Sequence, residues 1–338
     1  MRASVVCGLG GYVPERLVTN NDLSERLDTT DAWIHSRTGI RARHMISSDT
    51  ATSDLAVEAG HRALKSADQA AVDVVVLATT TPDRPCPATA PEVAARLGVG
   101  TVPAFDVAAV CSGFLYALAT AAGLIASGTA DRALVIAAEA FTTIIDPQDR
   151  TTAVIFGDGA GAVVLRVGDP AEPGALGPMV LGSDGDHSDL IEVPAGGSRQ
   201  RASGRPAAPG EQYFQMRGRD TYRHAVERMT AASRQAVERA GWTTAQVDRL
   251  AAHQANARIL DAVAERLGIP AERQLSNIAY MGNTGGASIP LLLADTAASG
   301  RLRAGHRVLL TAFGGGLAWG AATLSWPRLG PVTDPRTP

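Results

Sequence analysis

The stretch VDVVVLA, residues 72–78, is apolar at every position but one. A strand of that kind cannot turn either face to water, so its sheet needs helices on both sides. Similar runs return at ALVIA (133–137), TAVIF (152–156), Ala160–Val167 and VLLTA (308–312). Between them lie Ala-rich amphipathic runs that predict helices over Thr52–Ser66, Ala90–Leu97, Cys111–Ser127, Gly218–Ala240, Asn256–Leu267 and Ala287–Ser299. The chain reads as α/β with helix-covered sheets.

A repeat narrows this further. Val72-Asp73 precedes one strand and Val247-Asp248 precedes another, 175 residues later. Arg132 opens ALVIA, and Arg307 opens VLLTA, at the same offset. Adding that offset to Cys111 lands on Gly286, inside GNTGGAS (282–288). The order implies a duplicated α/β unit with halves at 1–175 and 176–326, joined in the Gly/Pro/Asp-rich stretch Gly168–Pro178. The tail, 327–338, has no apolar period and reads as flexible. Ser183–Gln215 is long and polar, which predicts a loop covering a ligand entrance, with a mobile tip over Ser198–Gly210.

Composition excludes several functions. The chain of 338 residues carries a net charge of −3, so nothing in its charge points to nucleic acid. No apolar run reaches the roughly 18 residues of a membrane helix. The N-terminus reads as a first strand and turn rather than a signal peptide. Cys7, Cys86 and Cys111 are too far apart for a metal site or a disulfide framework, which favours a reducing cytoplasm.

Chemistry concentrates at three turns. Cys111, in DVAAVCSGF (106–114), falls between a strand and an expected helix. As a packing residue it is a small hydrophobe. At a helix N-terminus the free N–H groups and the dipole favour its thiolate. Cys7 and Cys86 read as packing residues. Six histidines, 35, 44, 61, 187, 224 and 306, read as surface positions. His253, in RLAAHQANARI (249–259), differs because it follows a strand end and precedes a helix, where α/β folds build sites. Asn283 stands in an equivalent place, with a turn or cap role as the plainer reading. The glycines of FGGGLAWG (313–320) make a tight turn or bring N–H groups to a ligand oxygen. FGDGAGA (156–162) is followed by VVLRV and no helix, which excludes nucleotide binding.

These residues carry a resemblance. DTTDAWIHSRTGIRARH (28–44), FDVAAVCSGFLYAL (105–118), DPQDR (146–150), IFGDGAGA (155–162), HQANARI (253–259), GNTGGASIP (282–290) and AFGGGLAWG (312–320) run in the order of the β-ketoacyl-acyl-carrier-protein synthase III family. Its members start fatty acid synthesis or prime polyketide pathways. The resemblance implies a thiolase fold of five layers, αβαβα, with two duplicated halves, and a homodimer packed through the N-terminal halves. It implies acyl-CoA as substrate with no permanently bound cofactor, and malonyl-acyl carrier protein as partner. Cys111 would hold the acyl group. Its N–H and that of Gly315 would form the oxyanion hole. His253 and Asn283 would stabilise the enolate left by decarboxylation. Thr29, Trp33, Arg37 and Arg150 match coenzyme A contacts, and Arg258 matches a rim residue that meets an acidic carrier protein. Cys86, Phe141, Phe156 and Phe313 match positions around the acyl pocket.

The chain departs from the family at VCSGF and GNTGGAS, neither of which changes a catalytic atom. Cys86 stands where some members carry a bulky Phe, Phe141 where a leucine is common, and Tyr222 where Phe is frequent. These changes, with the 198–210 insertion, lead to the expectation that the acyl group is not simply acetyl. Two other readings stand beside condensation. One is transfer of the acyl group from Cys111 to a small-molecule or carrier acceptor without decarboxylation. The other is a non-catalytic partner in a heterodimer, which the presence of Cys111 disfavours.

Overall fold

Val74, Val76 and Ala78 pack into one apolar cluster, while Val75 and Leu77 pack into another on the opposite face. That period of two, with both faces buried, sets the layering. In the computed structural model, which describes residues 2–330 and 332–337, two sheets carry it. The first holds β1 (Ala3–Tyr12), β2 (Val74–Ala78), β3 (Ala104–Val107), β4 (Arg132–Glu139) and β5 (Gly159–Gly168), in the order β1-β5-β4-β2-β3. The second holds β6 (Leu176–Ser183), β7 (Arg249–Ala252), β8 (Arg307–Gly314) and β9 (Ala318–Ser325), in the order β7-β8-β9-β6.

The second sheet repeats the first. In each, the first strand in sequence lies antiparallel to the last, and the last antiparallel to the strand before it. Parallel pairing follows, β4 with β2 and β8 with β7. The counterpart of β3 shrinks to one parallel bridge, Leu250 with Gln274.

Of seven helices, α1 (Asp31–Thr38), α2 (Thr52–Ser66), α3 (Ala90–Leu97), α4 (Gly113–Ala126), α5 (Gly218–Arg239), α6 (Ala257–Leu267) and α7 (Ser288–Ala298), the last six complete the layers, and Ile34 of α1 packs in a separate cluster. α4 and α7 lie between the sheets, in one cluster with Val135 and Leu165 from the first sheet and Leu310 and Ala322 from the second. The sequence of α4, GFLYALATAAGLIA, is apolar nearly all round, as a central helix must be. α2 and α3 cover the outer face of the first sheet, and α5 and α6 that of the second. The five layers αβαβα follow. Close packing needs glycine where strands meet helices. A Cβ on Gly161 of β5 would lie 2.6 Å from Pro290 of α7.

Four sequence expectations are corrected. TAVIF is not a strand: residues 150–155 run in turns. The Asp149 carboxylate accepts from the Thr151 N–H and from the Thr151 and Thr152 hydroxyls, so local side-chain bonds override β propensity. Phe156 then makes an isolated bridge to Asn283. The expected helix from Cys111 starts at Gly113, because residues 110–112 form a 3-10 turn. His44 and His224 are buried rather than at the surface. In the tail, of which residues 331 and 338 lie outside the described residues, residues 334–337 are docked: Pro335 is buried, and Arg62 donates to the Asp334, Pro335 and Thr337 carbonyls. No helix among the described residues is long and apolar enough to cross a membrane.

Candidate active site

The parallel strands deliver their C-terminal ends to one place. β7 ends at Ala252, immediately before His253, and β3 leads through residues 108–110 to Cys111. β8 ends at Gly314, and the turn before α7 carries Asn283. Cys111, His253 and Asn283, with Phe156, Phe313 and Gly314, line a single cavity of about 780 Å3.

Cys111 sits half-buried in the 3-10 turn ahead of α4. The preceding Val110 has φ +45°, a left-handed conformation that costs a β-branched residue energy and is held by its surroundings. Ser112, fully buried, donates to the Ala318 carbonyl at 2.9 Å, so its hydroxyl anchors the turn to β9 and points away from chemistry. Gly314 abuts Cys111: a Cβ there would lie 2.7 Å from the Cys111 nitrogen. Gly315 is buried beside it, near Val110 and Ile191.

The helix end does not leave a resting thiolate. Burial, and then the charge of Glu139, push the Cys111 thiol up to about 12. Burial is the largest cause of the rise, against the thiolate that the sequence leads one to expect at a helix N-terminus. Burial also pulls His253 down to about 3, so its imidazole is neutral. Its ring Nδ1 lies 2.6 Å from the Ser288 hydroxyl oxygen, and its backbone N–H donates to Thr311 of β8. The Asn283 side-chain oxygen accepts from the Gly285 N–H at 2.9 Å, which leaves the NH2 for a ligand. The Asn283 backbone is pinned on both sides, to the Ile155 carbonyl and the Gly157 N–H.

Phe156 and Phe313 reach the cavity wall, and Phe141 and Cys86 do not. Phe141 is fully buried behind Phe156, with ring centroids 4.4 Å apart and planes 11° from parallel. Phe214 sits edge-on to both. Cys86 is exposed on a loop of the single chain.

The remaining candidates gather at the mouth. Arg37 and Arg150 hold their guanidinium groups over the Trp33 ring, 4.7 and 5.2 Å from its centroid. Arg150 also donates to the Asp28 carbonyl and pairs with its carboxylate at 3.3 Å. The Thr29 hydroxyl is buried without a hydrogen-bond partner. Arg258 is exposed on the rim and donates to the Ser36 carbonyl. The covering segment supplies Ile191 and Phe214 to the wall, and Met216, one residue past its expected end, joins them through a small antiparallel pair of residues 191–192 and 215–216. Its outer part holds a short helix, Ser198–Ala202, and an Arg205–Glu211 ion pair.

Sequence reasoning missed Glu139 and Ser288. Glu139, at the end of β4, is fully buried and accepts from the Thr80 N–H and the Thr80 and Thr81 hydroxyls. The signal was an acid closing the apolar run ALVIAA that follows Arg132. Ser288 lies 35 residues from His253, and no spacing rule ties the two.

Comparison with known proteins gives a consistent result. Residues 105–185 match the family model for 3-Oxoacyl-[acyl-carrier-protein (ACP)] synthase III, and residues 237–326 the model for its C-terminal part. A Streptomyces coelicolor relative, Beta-ketoacyl-[acyl-carrier-protein] synthase III 3, is 60% identical over 98% of this chain and 99% of its own. The crystal structure of 3-oxoacyl-(acyl carrier protein) synthase III from Pseudomonas aeruginosa PAO1 superposes with a TM-score of 0.91 at 49% identity, covering 98% of this chain and 100% of that one. The priming β-ketosynthase from the R1128 polyketide biosynthetic pathway superposes at 0.89 with 35% identity, covering 96% and 97%.

Proposed function

The chain belongs to the 3-oxoacyl-[acyl-carrier-protein] synthase III family, and from that membership we propose that it joins an acyl group from acyl-CoA to malonyl-acyl carrier protein, releasing carbon dioxide and a β-ketoacyl thioester. The observation that carries this reading is the single cavity whose wall unites Cys111, His253 and Asn283.

In the first half-reaction the Cys111 sulfur attacks the thioester carbonyl. Its proton leaves with the coenzyme A thiol, and the acyl group stays on sulfur. The N–H groups of Cys111 and Gly315 hold the oxygen that becomes negative. A donor of this kind is worth about 10²–10³ in rate. A thiol pushed up to about 12 must lose its proton during attack rather than before it. In the second half-reaction the malonyl carboxylate leaves as carbon dioxide. The electron pair passes to the thioester, whose oxygen accepts from His253 and the Asn283 amide. The carbon nucleophile then attacks acyl-Cys111, and the thiolate leaves. Both donors must be neutral N–H groups at that moment, and the low pKa of His253 supports this.

Acyl-CoA is a substrate here, and no permanently bound cofactor is part of the proposal. The family resemblance places the adenine of coenzyme A between Trp33 and Arg150, which needs roughly 7 Å between them, two contacts of about 3.5 Å. From the present 5.2 Å, the proposal requires Arg150 to move away from Asp28 as coenzyme A enters. A homodimer is part of the proposal. β3 supports it as a half-buried strand at the edge of its sheet, and an unpaired edge invites a partner. Arg258 on the rim is the proposed contact for the carrier protein.

The test is mass spectrometric. The protein is loaded with a panel of acyl-CoAs, the acyl group on Cys111 is identified, and malonyl-acyl carrier protein is added. A carrier bearing the β-ketoacyl chain supports condensation, and the best-loaded group names the starter. Acylation without extension supports transfer to another acceptor instead. Fastest loading by acetyl-CoA overturns the expectation of a specialised starter.

A further inference from the structure

His253 must offer an N–H to the cavity, and a neutral imidazole has only one to give. Which nitrogen carries it is decided on the far side of the ring. There, Nδ1 lies 2.6 Å from Ser288 Oγ. That oxygen is already spoken for by a donor, because the Gln254 backbone N–H points at it from 3.2 Å. Ser288 and His253 are both 2% exposed, so bulk water offers no alternative partner.

The proton count then has one satisfactory solution. The Ser288 hydroxyl carries one hydrogen. Among the described residues, Nδ1 is its one hydrogen-bond acceptor within reach. If Nδ1 were protonated, two hydrogens would contest one short contact, or the buried hydroxyl would be left without an acceptor. Leaving a buried polar group unpaired forfeits its hydrogen bond to water with nothing in return. If Nδ1 is bare, the hydroxyl donates to it, the Gln254 N–H donates to the hydroxyl oxygen, and every group is satisfied. Neighbouring Gln254 does not compete, since its side chain donates to Ala252 and accepts from Ser276 and Asn277.

We propose that Ser288 is a positioning residue that fixes His253 as the Nε2–H tautomer, and so aims its one N–H at the oxygen of the decarboxylating thioester. The inference rests on the condensation reading for its catalytic consequence, but the tautomer itself does not depend on that reading. Ser288 begins α7, five residues after Asn283. One short segment therefore delivers one donor directly and orients the other.

Two measurements test it. In wild-type protein carrying 15N-histidine, His253 is assigned by comparison with His253→Ala. A pyrrole-type signal at Nε2 and a pyridine-type signal at Nδ1 are expected at neutral pH. A protonated Nδ1 overturns the proposal, whatever the activity. In Ser288→Ala, loading of Cys111 from acyl-CoA stays within about twofold of wild type. Malonyl decarboxylation falls roughly ten- to a hundredfold, less than removing a donor outright because part of the population keeps the right tautomer. Ser288→Cys, which retains a weak donor, recovers part of the loss. Equal losses in both half-reactions, or none in decarboxylation, overturn it. Should Ser288→Ala not fold, the wild-type tautomer decides. If wild-type protein loads but never decarboxylates malonyl groups, the condensation reading fails while the tautomer result stands.

Discussion

The charge of Glu139 works against ionisation of Cys111. Glu139 is buried among apolar atoms, and that burial raises its carboxyl to about 7 against the pull of its threonine donors. Its charge is the second cause, after burial, of the high Cys111 value. Glu139→Gln keeps the shape and removes the charge, so the Cys111 thiol should drop and alkylation by iodoacetamide at pH 8 should quicken several-fold. An unchanged or slower rate in a folded variant would refute the coupling. Stability gives a second readout. A carboxyl raised in the folded state stabilises it fully below the unfolded value, near 4.5, and that contribution is lost as pH rises through about 7. Urea midpoints of the wild type should therefore fall across that window, and those of Glu139→Gln should stay flatter. At this scale the sequence was informative about residues that stand alone at a turn, such as Cys111 and His253. It was silent about Glu139 and Ser288, whose settings come from residues distant in sequence, Thr80 being 59 residues from Glu139 and His253 35 from Ser288.

Turns between elements carry the geometry. The 3-10 turn of residues 110–112 and that of residues 285–287 sit at equivalent points of the two halves, each followed by a central helix. Their spacing is the same 175-residue offset that the sequence displayed at Arg132 and Arg307, which is why the duplication was legible. The strands β6 and β9 were not legible. LGPMVLGS and AWGAATLS contain too many small residues and glycines to read as β runs, and they form because the preceding sheet edge is there to pair with. Gly314 tests the element scale. Gly314→Ala would set a methyl group 2.7 Å from the Cys111 nitrogen and 3.1 Å from its Cβ, against backbone that cannot give way cheaply. The turn must shift, so loading of Cys111 should fall at least about a hundredfold, in line with loss of an oxyanion donor. Circular dichroism should remain that of the wild type. Loading within a few-fold of wild type would show that the turn tolerates displacement and that its register is not what sets the oxyanion hole.

Across the whole molecule the cavity is a joint product. The first half brings Cys111 and Phe156, the second brings His253, Asn283 and Phe313, and the covering segment closes the side with Ile191, Phe214 and the adjoining Met216. The sequence marked that segment as a cover by its length and polarity. It could not show that Phe214 would reach inward to Phe141 and Phe156, because that contact exists only after the antiparallel pair forms. Charge is also arranged at this scale. The chain is acidic overall, at −3, yet Arg37, Arg219 and Arg258 line the cavity. Such local contrast steers an acidic partner toward an opening and is screened by salt. Arg258→Glu should therefore raise KM for malonyl-acyl carrier protein by about five- to tenfold at low ionic strength and leave kcat nearly unchanged. The gap should narrow at about 0.5 M salt, where the screening length falls to a few ångströms. Malonyl-pantetheine, which has neither the protein surface nor the nucleotide phosphates, should be used equally well by both forms. An equal loss with that small acceptor would place Arg258 in the chemistry of the site, and the rim would then have no part in choosing the carrier.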